Sequence, residues 1–477
     1  MTGSPQASRS STNPSDRRTA HAPQELPAAK AWHALLRPDV ELSPEFCADL
    51  NARMRAEKLK FGDRVHCPFL RPFFLTTEDD RWVRAVTEAI AAIGERVVKQ
   101  SLVDPALLAQ AALTPGEERL ARISPGYGRS STASRLDAFL LPNSLQFAEY
   151  NAESPAGPGY AETLAEVFLS LPMMKRFEET YRVHKYDTMK MLLEALLASY
   201  REWGGPASPP VIAIVDWRDV PTWSEFEILQ ARFQREGIPT IISDPRDLEF
   251  NGRNLKAQGR EIDLLYRRVL INDILARPAE CKALVDAYAS GSVCMANALS
   301  CKIPHKKAFF AVLTDDRNAA LFSDSERELI HRHIPWTRLL ADRKTSRDGE
   351  DFNLLEYVRS RREHFVLKPN DEYGGTGVTL GWENNEREWD AAINSALADK
   401  ERAWVVQERI TVRREIFPMQ TANGVEMRDM LVDLAPYLFR GKMAGFLTRL
   451  SSTGLANVTS GGGQVPAMVV DPIGQNS

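Results

Sequence analysis

A chain of 477 residues with 43% hydrophobic content is long enough for two or three domains and a sizeable core. Its net charge of −4 and isoelectric point near 6.2 argue against the broad positive field of a general nucleic-acid binder. Five cysteines (Cys47, Cys67, Cys281, Cys294, Cys301), an odd number without a C-x-x-C pair, argue against a disulfide framework or zinc ribbon and read as reduced thiols.

Residues 1–27 are rich in Ser, Thr and Pro with no apolar run, and predict a disordered tail, because they lack the core residues that offset ordering entropy. They also lack the apolar segment of a signal peptide, and nothing later approaches 18 uninterrupted apolar residues, so a soluble cytoplasmic protein is expected. From residue 28 to about 110 the periodicity is helical, clearest where Val83, Val86, Ile90 and Ile93 recur on one face, and predicts a helical cover. His66 and Cys67 have no further ligand spaced to complete a metal site and read as packing residues.

Residues 135–160, RLDAFLLPNSLQFAEYNAESPAGPGY, carry the densest chemistry. Two apolar-rich runs separated by Pro142, Asn143 and Ser144 predict adjacent strands joined by a turn. Residues two apart share a strand face, so Arg135 points with Asp137, and Glu149 with Asn151. If the strands pair, two carboxylates and an amide oxygen converge, a donor set suited to a hard cation such as Mg²⁺, beside an arginine suited to phosphate or carboxylate. The alternative is a surface hairpin whose charges face water.

Two helical stretches follow, at 160–181 and 186–203, the second carrying Met189, Leu192, Leu193, Leu196 and Leu197 on one side. Then short apolar runs, PPVIAIVDW, IPTIISD, EIDLLYRRVL and SVCMAN, alternate with helical stretches, which predicts a parallel sheet with crossover helices. Asp216, Asp244, Tyr266 and Arg267 or Arg268 fall near the strand ends where such sheets bind ligands, and caps or solvated charges have the same pattern. Lys306 and Lys307 then open another apolar stretch. In EHFVLKPNDEYGGTGVTLGW a strand ends in Lys368, and Gly374, Gly375, Thr376 and Gly377 lead into a second strand. Such glycines free backbone N–H groups to curl around phosphate, with Lys368 as a point charge, although a plain glycine hairpin is the alternative. A helical stretch precedes WVVQERI, a strand ending in Gln407 and Glu408.

A lysine closing a strand, a glycine loop and a later strand ending in Gln-Glu resemble the nucleotide half of the ATP-grasp superfamily. The resemblance implies that Lys307 and Lys368 contact ATP phosphates, that Gly374, Gly375, Thr376 and Gly377 close over them, and that Gln407, Glu408 and Ile410 hold the adenine. Lys307 is preferred to Lys306 because it directly precedes the apolar run. In the usual order E-x-N follows the adenine hinge, yet here no E-x-N follows Glu408, where Asp433, Arg449 and STGLANVTSGGGQVP are found instead, and E-x-N stands upstream at 149–151. That order resembles circularly permuted ATP-grasp proteins and the synthetase part of glutathionylspermidine synthases. By this resemblance Asp137, Glu149 and Asn151 are the ligands of Mg²⁺, as two ions, and Arg135 faces the substrate; Arg135 and Arg449 are the candidates for stabilising the transferring phosphoryl group, with a core-edge ion pair the equal alternative for Arg449. DLLYRRVL, the NAL…K stretch and the closing R-L-S…N-V-T-S-G-G-G-x-V-P also look like the permuted group. Asn457 with Gly461, Gly462 and Gly463 suggests a further anion-binding turn or a simple hairpin. No N-terminal Cys/His amidase arrangement is present, so neither amidase activity nor a polyamine substrate is carried over.

The expected fold is α/β (α+β): a circularly permuted ATP-grasp fold with a parallel-sheet lobe like a pre-ATP-grasp domain and a helical N-terminal region. The expected divisions are a tail (1–27), the helical cover with the metal-binding hairpin (28–205), an α/β substrate lobe (206–305) and the nucleotide-binding lobes (306–477). The implied activity is ATP-dependent, ADP-forming ligation of a small-molecule or peptide carboxylate to an amine through an acylphosphate. A small-molecule phosphotransferase and a catalytically silent ATP-binding module are the alternatives. Neither nucleic acid nor membrane is expected as a partner, and the oligomeric state is open, a homodimer included.

Overall fold

The structure, a computed structural model, describes residues 26–452 apart from 63, 348 and 373, together with 462–474. Of the predicted tail only Leu26 and Pro27 are among them, and Pro27 already opens a helix, Pro27–Ala34, that buries Ala28, Ala29 and Trp32. Asn457 and Gly461, named for a further turn, lie outside the described residues.

The N-terminal region is helical but not wholly so. Strand β1 (Phe73–Leu75) is three buried apolar residues, too short a run for period to reveal. Helix α1 (Thr77–Val103) begins at a capping box between Thr76 and Asp79 and buries Val83, Val86, Ile90, Ile93 and Val97. Strands β2 (Ala133–Leu141) and β3 (Ser144–Asn151) form the expected antiparallel hairpin around the Pro142-Asn143 turn. The helix expected at 160–181 is instead α2 (Pro158–Leu169), a second short helix Pro172–Phe177, and strand β4 (Tyr181–His184). Pro172 has no N–H to continue the first helix and is favoured where a new one starts. Helix α3 (Thr188–Trp203) ends at Gly204 with φ 102°.

Next comes the parallel lobe, with β5 (Ile212–Val215), α4 (Trp223–Arg235), β6 (Thr240–Ser243), β7 (Leu264–Arg267) and β8 (Cys294–Ala296). Its order is β8-β7-β5-β6, with every pairing parallel and the strands almost entirely buried, as a sheet covered on both faces requires. The chain steps outward from β5 to β6, then crosses back over β5 to β7, so the direction of winding reverses between β5 and β7.

Helices α5 (Ala308–Thr314) and α6 (Asp324–His333) lead to an antiparallel sheet ordered β9-β12-β10-β11. Its strands are β9 (Thr337–Leu339), β10 (Phe365–Pro369), β11 (Thr379–Leu380) and β12 (Trp404–Glu408), with helices α7 (Leu354–Ser360) and α8 (Glu386–Ala398) between them. Leu354, Val358, Trp389 and Ile393 pack under one face of this sheet against Phe365, Leu367 and Val406. Alternation turns Val366, Lys368, Val405 and Gln407 to the other face.

The C-terminal strands are β13 (Arg413–Thr421), β14 (Gly424–Phe439), β15 (Lys442–Ser451), β16 (Gly463–Val465) and β17 (Ala467–Pro472). They do not form a separate sheet. β14 pairs with β2, Tyr437 opposite Arg135, giving the order β16-β15-β14-β2-β3 with β13 on the first half of β14. β17 lies between β1 and β4, so the end of the described chain closes onto the N-terminal region. Among the described residues no helix is long and apolar enough to cross a membrane.

Candidate active site

The hairpin register sets Asp137 opposite Glu149 and Arg135 opposite Asn151. Arg135 Nε donates to Asp137 Oδ1 at 2.7 Å, Arg449 Nη2 donates to Asp137 Oδ2 at 2.5 Å, and Arg449 Nε donates to Asp433 Oδ2 at 2.6 Å. Asp433 and Arg449 are partners across β14 and β15, so two carboxylates and two guanidiniums interlock on one sheet. Burial alone would raise the Asp137 carboxyl, but Arg135 and Arg449 hold it well below the usual carboxylate range. For Asp433 burial wins over Arg449 and pushes the carboxyl up to about 7; its Oδ1 is buried with no hydrogen-bond donor among the described residues. Asn151 Nδ2 donates to Glu149 Oε1 at 3.1 Å.

The facing sheet and the helix leading into it bring the lysines. Lys307, at the start of α5, stands with Nζ 3.2 Å from Glu149 Oε2 and 2.6 Å from the Glu372 carbonyl. Lys368 on β10 donates to Gln407 Oε1 at 2.6 Å and to the Ala148 carbonyl of β3 at 3.4 Å. Burial pushes its ammonium down to about 8; Glu149 works against that shift and Lys307 adds to it. Gly374, Gly375, Thr376 and Gly377 are exposed and join β10 to β11 as strand-loop-strand, as expected. Gly374, Gly375 and Gly377 have φ of 65°, 77° and 73°, and a Cβ on Gly377 would stand 2.7 Å from Pro369 Cγ. No other residue fits that turn unstrained.

Gln407 is buried and turned inward, its amide shared between Lys368 and Thr337 Oγ1 at 3.1 Å. Glu408 points the other way and pairs with Arg347 at 3.0 Å. It borders a cavity of about 380 Å³ at the end of β12, lined also by Gln146, Thr314, Phe322, Trp336 and Arg347. Half-buried Ile410 follows β12. Lys307, Lys368 and Glu149 are not among the cavity's lining residues.

Several organising residues were not singled out from sequence. Asn297 accepts at Oδ1 from the N–H groups of Thr132 and Ala133, both at 2.8 Å. Its Nδ2 donates to the carbonyls of Ala133, Ala152 and Glu153 at 2.6, 2.9 and 2.8 Å, fastening the start of β2 and the segment leaving β3 to the parallel lobe. Lys306, next to Lys307, faces elsewhere: its Nζ lies 2.7 Å from both Glu117 and Asp371. Lys302 joins the same lattice, 3.1 Å from Glu153 and 2.9 Å from Asp371, and ties the base of the glycine loop to the segment following Asn151. Burial would raise Glu153, but Lys302, His305 and Arg267 hold it at about 2. A lysine in K-I-P-H-K-K carries no sequence signal for a carboxylate so far away along the chain.

Among the described residues no three His, Cys, Asp or Glu side chains gather as a metal cluster. The hairpin still has the chemistry of a Mg²⁺ site, with hard oxygens on adjacent paired strands. Its two carboxylates are paired with Arg135, Arg449 and Lys307, so a divalent ion would compete with these cations for the carboxylate oxygens.

The family model described as circularly permuted ATP-grasp type 2 matches residues 95–458. The chain belongs to this family. The permuted ATP-grasp arrangement accounts for the shared sheet, in which a hairpin early in the chain completes strands from its end. An uncharacterised Mycobacterium tuberculosis protein is 25% identical over 348 residues, covering 68% of this permuted ATP-grasp chain and 57% of its own length. The chain thus spans little more than half of that relative. A putative glutamate–cysteine ligase of Frankia alni is 26% identical over 215 residues, 43% of this chain and 23% of that protein. The structure of a glutathione synthetase-like effector from Globodera pallida matches with a TM-score of 0.59 at 14% identity, covering 91% of this chain and 98% of that one. That likeness is one of fold.

Proposed function

We propose that this chain is an ATP- and Mg²⁺-dependent, ADP-forming carboxylate–amine ligase working through an acylphosphate. The observation that carries the reading is the meeting of Lys307, at the start of α5, and Lys368, on β10, with the Glu149 end of the hairpin, from which both are far apart in sequence. Family membership and the ligase named among the relatives support it. The finer likeness to the synthetase part of glutathionylspermidine synthases rests on motif order alone.

In this mechanism a substrate carboxylate oxygen attacks the γ-phosphorus of ATP, the bond to the β,γ-bridging oxygen breaks, and ADP leaves. The amine nitrogen then attacks the acyl carbon, phosphate departs, and the nitrogen loses its proton. Asp137, Glu149 and Asn151 would hold Mg²⁺, which would supply charge neutralisation at the phosphates. Lys307 and Lys368 hold the phosphate oxygens, while Arg135 and Arg449, kept oriented by Asp137, face the charge that develops on the transferring group. The loop of Gly374, Gly375, Thr376 and Gly377 closes with its N–H groups inward and keeps water from the acylphosphate. Glu408 and Ile410 border the adenine, and Gln407 acts through Lys368. Work on a cytoplasmic carboxylate and amine completes the reading.

Trapping tests it. With ATP, Mg²⁺, a carboxylate library and hydroxylamine, the ligase yields hydroxamate and equimolar ADP and phosphate. Phosphate transfer to a stable product, with no hydroxamate, would make it a phosphotransferase; tight ATP binding without turnover across the library would make it a silent module.

A further inference from the structure

In open α/β sheets ligands sit outside the carboxyl ends of the strands where the winding reverses. Here that point lies between β5 and β7, and the residues just beyond those two strands are Asp216 and Arg268. Both are almost fully buried. Asp216 Oδ1 accepts from the N–H of Trp217 at 2.9 Å, and its other oxygen has no donor among the described residues. Glu225, on α4, spends Oε1 on the N–H groups of Gly157 and Gly159 at 2.7 and 3.1 Å; its fully buried Oε2 accepts no hydrogen bond among the described residues and lies 3.8 Å from Arg268.

Charge decides what fits. Arg268 donates to the Pro155 carbonyl at 2.8 Å and the Tyr266 hydroxyl at 3.1 Å and has Glu225 as its counter-ion. Its neighbour Arg267 is taken up by Glu153 at 3.4 Å and the Val269 carbonyl at 2.6 Å. Arg268 is the principal cation acting on both carboxylates, with Arg267 adding to it at Asp216, Arg135 at Glu225, and Asp273 contributing negative charge nearby. One oxygen of each carboxylate therefore lacks a hydrogen-bond donor among the described residues, and burial pushes the Asp216 carboxyl up to about 6 despite Arg268.

We propose that this point binds the ammonium group of the amine co-substrate, with Asp216 as its carboxylate partner, a reading that rests on the ligase assignment above. The site stands beside the phosphoryl-transfer cluster. Arg268 holds the Pro155 carbonyl, and Arg135 holds the carbonyl of the very next residue, Ala156, at 3.1 Å. An amine seated on Asp216 thus lies along the same strap that positions Arg135 and Asp137.

Saturation-transfer NMR on the full chain with n-butylammonium, butyrate and 1-butanol tests the site, with calorimetry of Mg·ATP in parallel. The expected result is transfer to n-butylammonium above the other two, weakened about tenfold or more in Asp216→Asn and partly restored in Asp216→Glu. Equal amine affinity in wild type, Asp216→Asn and Asp216→Glu would overturn the proposal, as would preferred butyrate binding that Arg268→Met removes. If Mg·ATP does not bind while the amine signal depends on Asp216, the ligase reading fails and the cation site stands. If Mg·ATP binds and the amine signal ignores Asp216, the reverse holds.

Discussion

Lys307 Nζ stands 3.2 Å from Glu149 Oε2, while its neighbour Lys306 lies 2.7 Å from Glu117 and Asp371. Adjacent lysines therefore have separable tasks. Lys307→Met is expected to weaken ATP binding by about tenfold to a hundredfold and to shift urea unfolding little. Lys306→Met leaves buried carboxylates short of a cation and is expected to cost about 3 kcal/mol or more of stability. Calorimetry and urea titration of both variants check this, and nucleotide binding lost only in the Lys306 variant would reverse the assignment.

Asn297 makes five hydrogen bonds to the backbone at the open end of the hairpin, at Thr132, Ala133, Ala152 and Glu153. Asn297→Ala strands several buried N–H and C=O groups and should destabilise the chain by about 3 kcal/mol or more. Equilibrium unfolding measures it, and a loss below about 1 kcal/mol would show that the hairpin is fastened by other contacts.

Gly377 combines a φ of 73° with a Cβ position 2.7 Å from Pro369 Cγ. Gly377→Ala should cost about 1–2 kcal/mol and leave the loop unable to close over nucleotide. Limited proteolysis reads this directly: ATP should protect the wild-type loop and not the variant. Equal protection would remove the loop from the site.

For Asp216 the folded pKa, about 6, lies above the ordinary 3.8, so the folded state holds its proton longer than the unfolded chain. Its contribution to stability therefore falls as pH rises from about 4 through 6. Asp216→Asn should match the wild type near pH 3 and exceed it by about 3 kcal/mol at pH 7.5. Thermal melts at the two pH values decide it, and a variant less stable at pH 7.5 would mean that Asp216 is a structural partner of Arg268.

The readable parts of this fold were local. Two apolar-rich runs parted by Pro142, Asn143 and Ser144 pointed to the hairpin, further apolar runs to the parallel strands, and clustered glycines to the loop between β10 and β11. Strands β1 and β4 were hidden because Phe73–Leu75 and Tyr181–His184 are short and become strands by pairing with β17 from the other end of the chain. The same holds in the site. Arg135, Asp137, Glu149 and Asn151 share a compact motif, whereas Asn297, Lys302 and Asp371 take their partners from distant segments, and nothing in their neighbours announces it. That Arg135 and Arg449 both grip Asp137 depends on β14 pairing with β2, which only the assembled sheet reveals.

The measurement that bears most directly on the account is calorimetry of ATP binding with and without Mg²⁺, on the wild type and on the Glu149→Ala, Asn151→Ala double variant. The account predicts Mg²⁺-dependent binding in the wild type and loss of that dependence in the variant, with residual metal-independent affinity from Lys307 and Lys368. Binding indifferent to Mg²⁺, or unchanged by the double substitution, would contradict the claim that hairpin and lysines form one site.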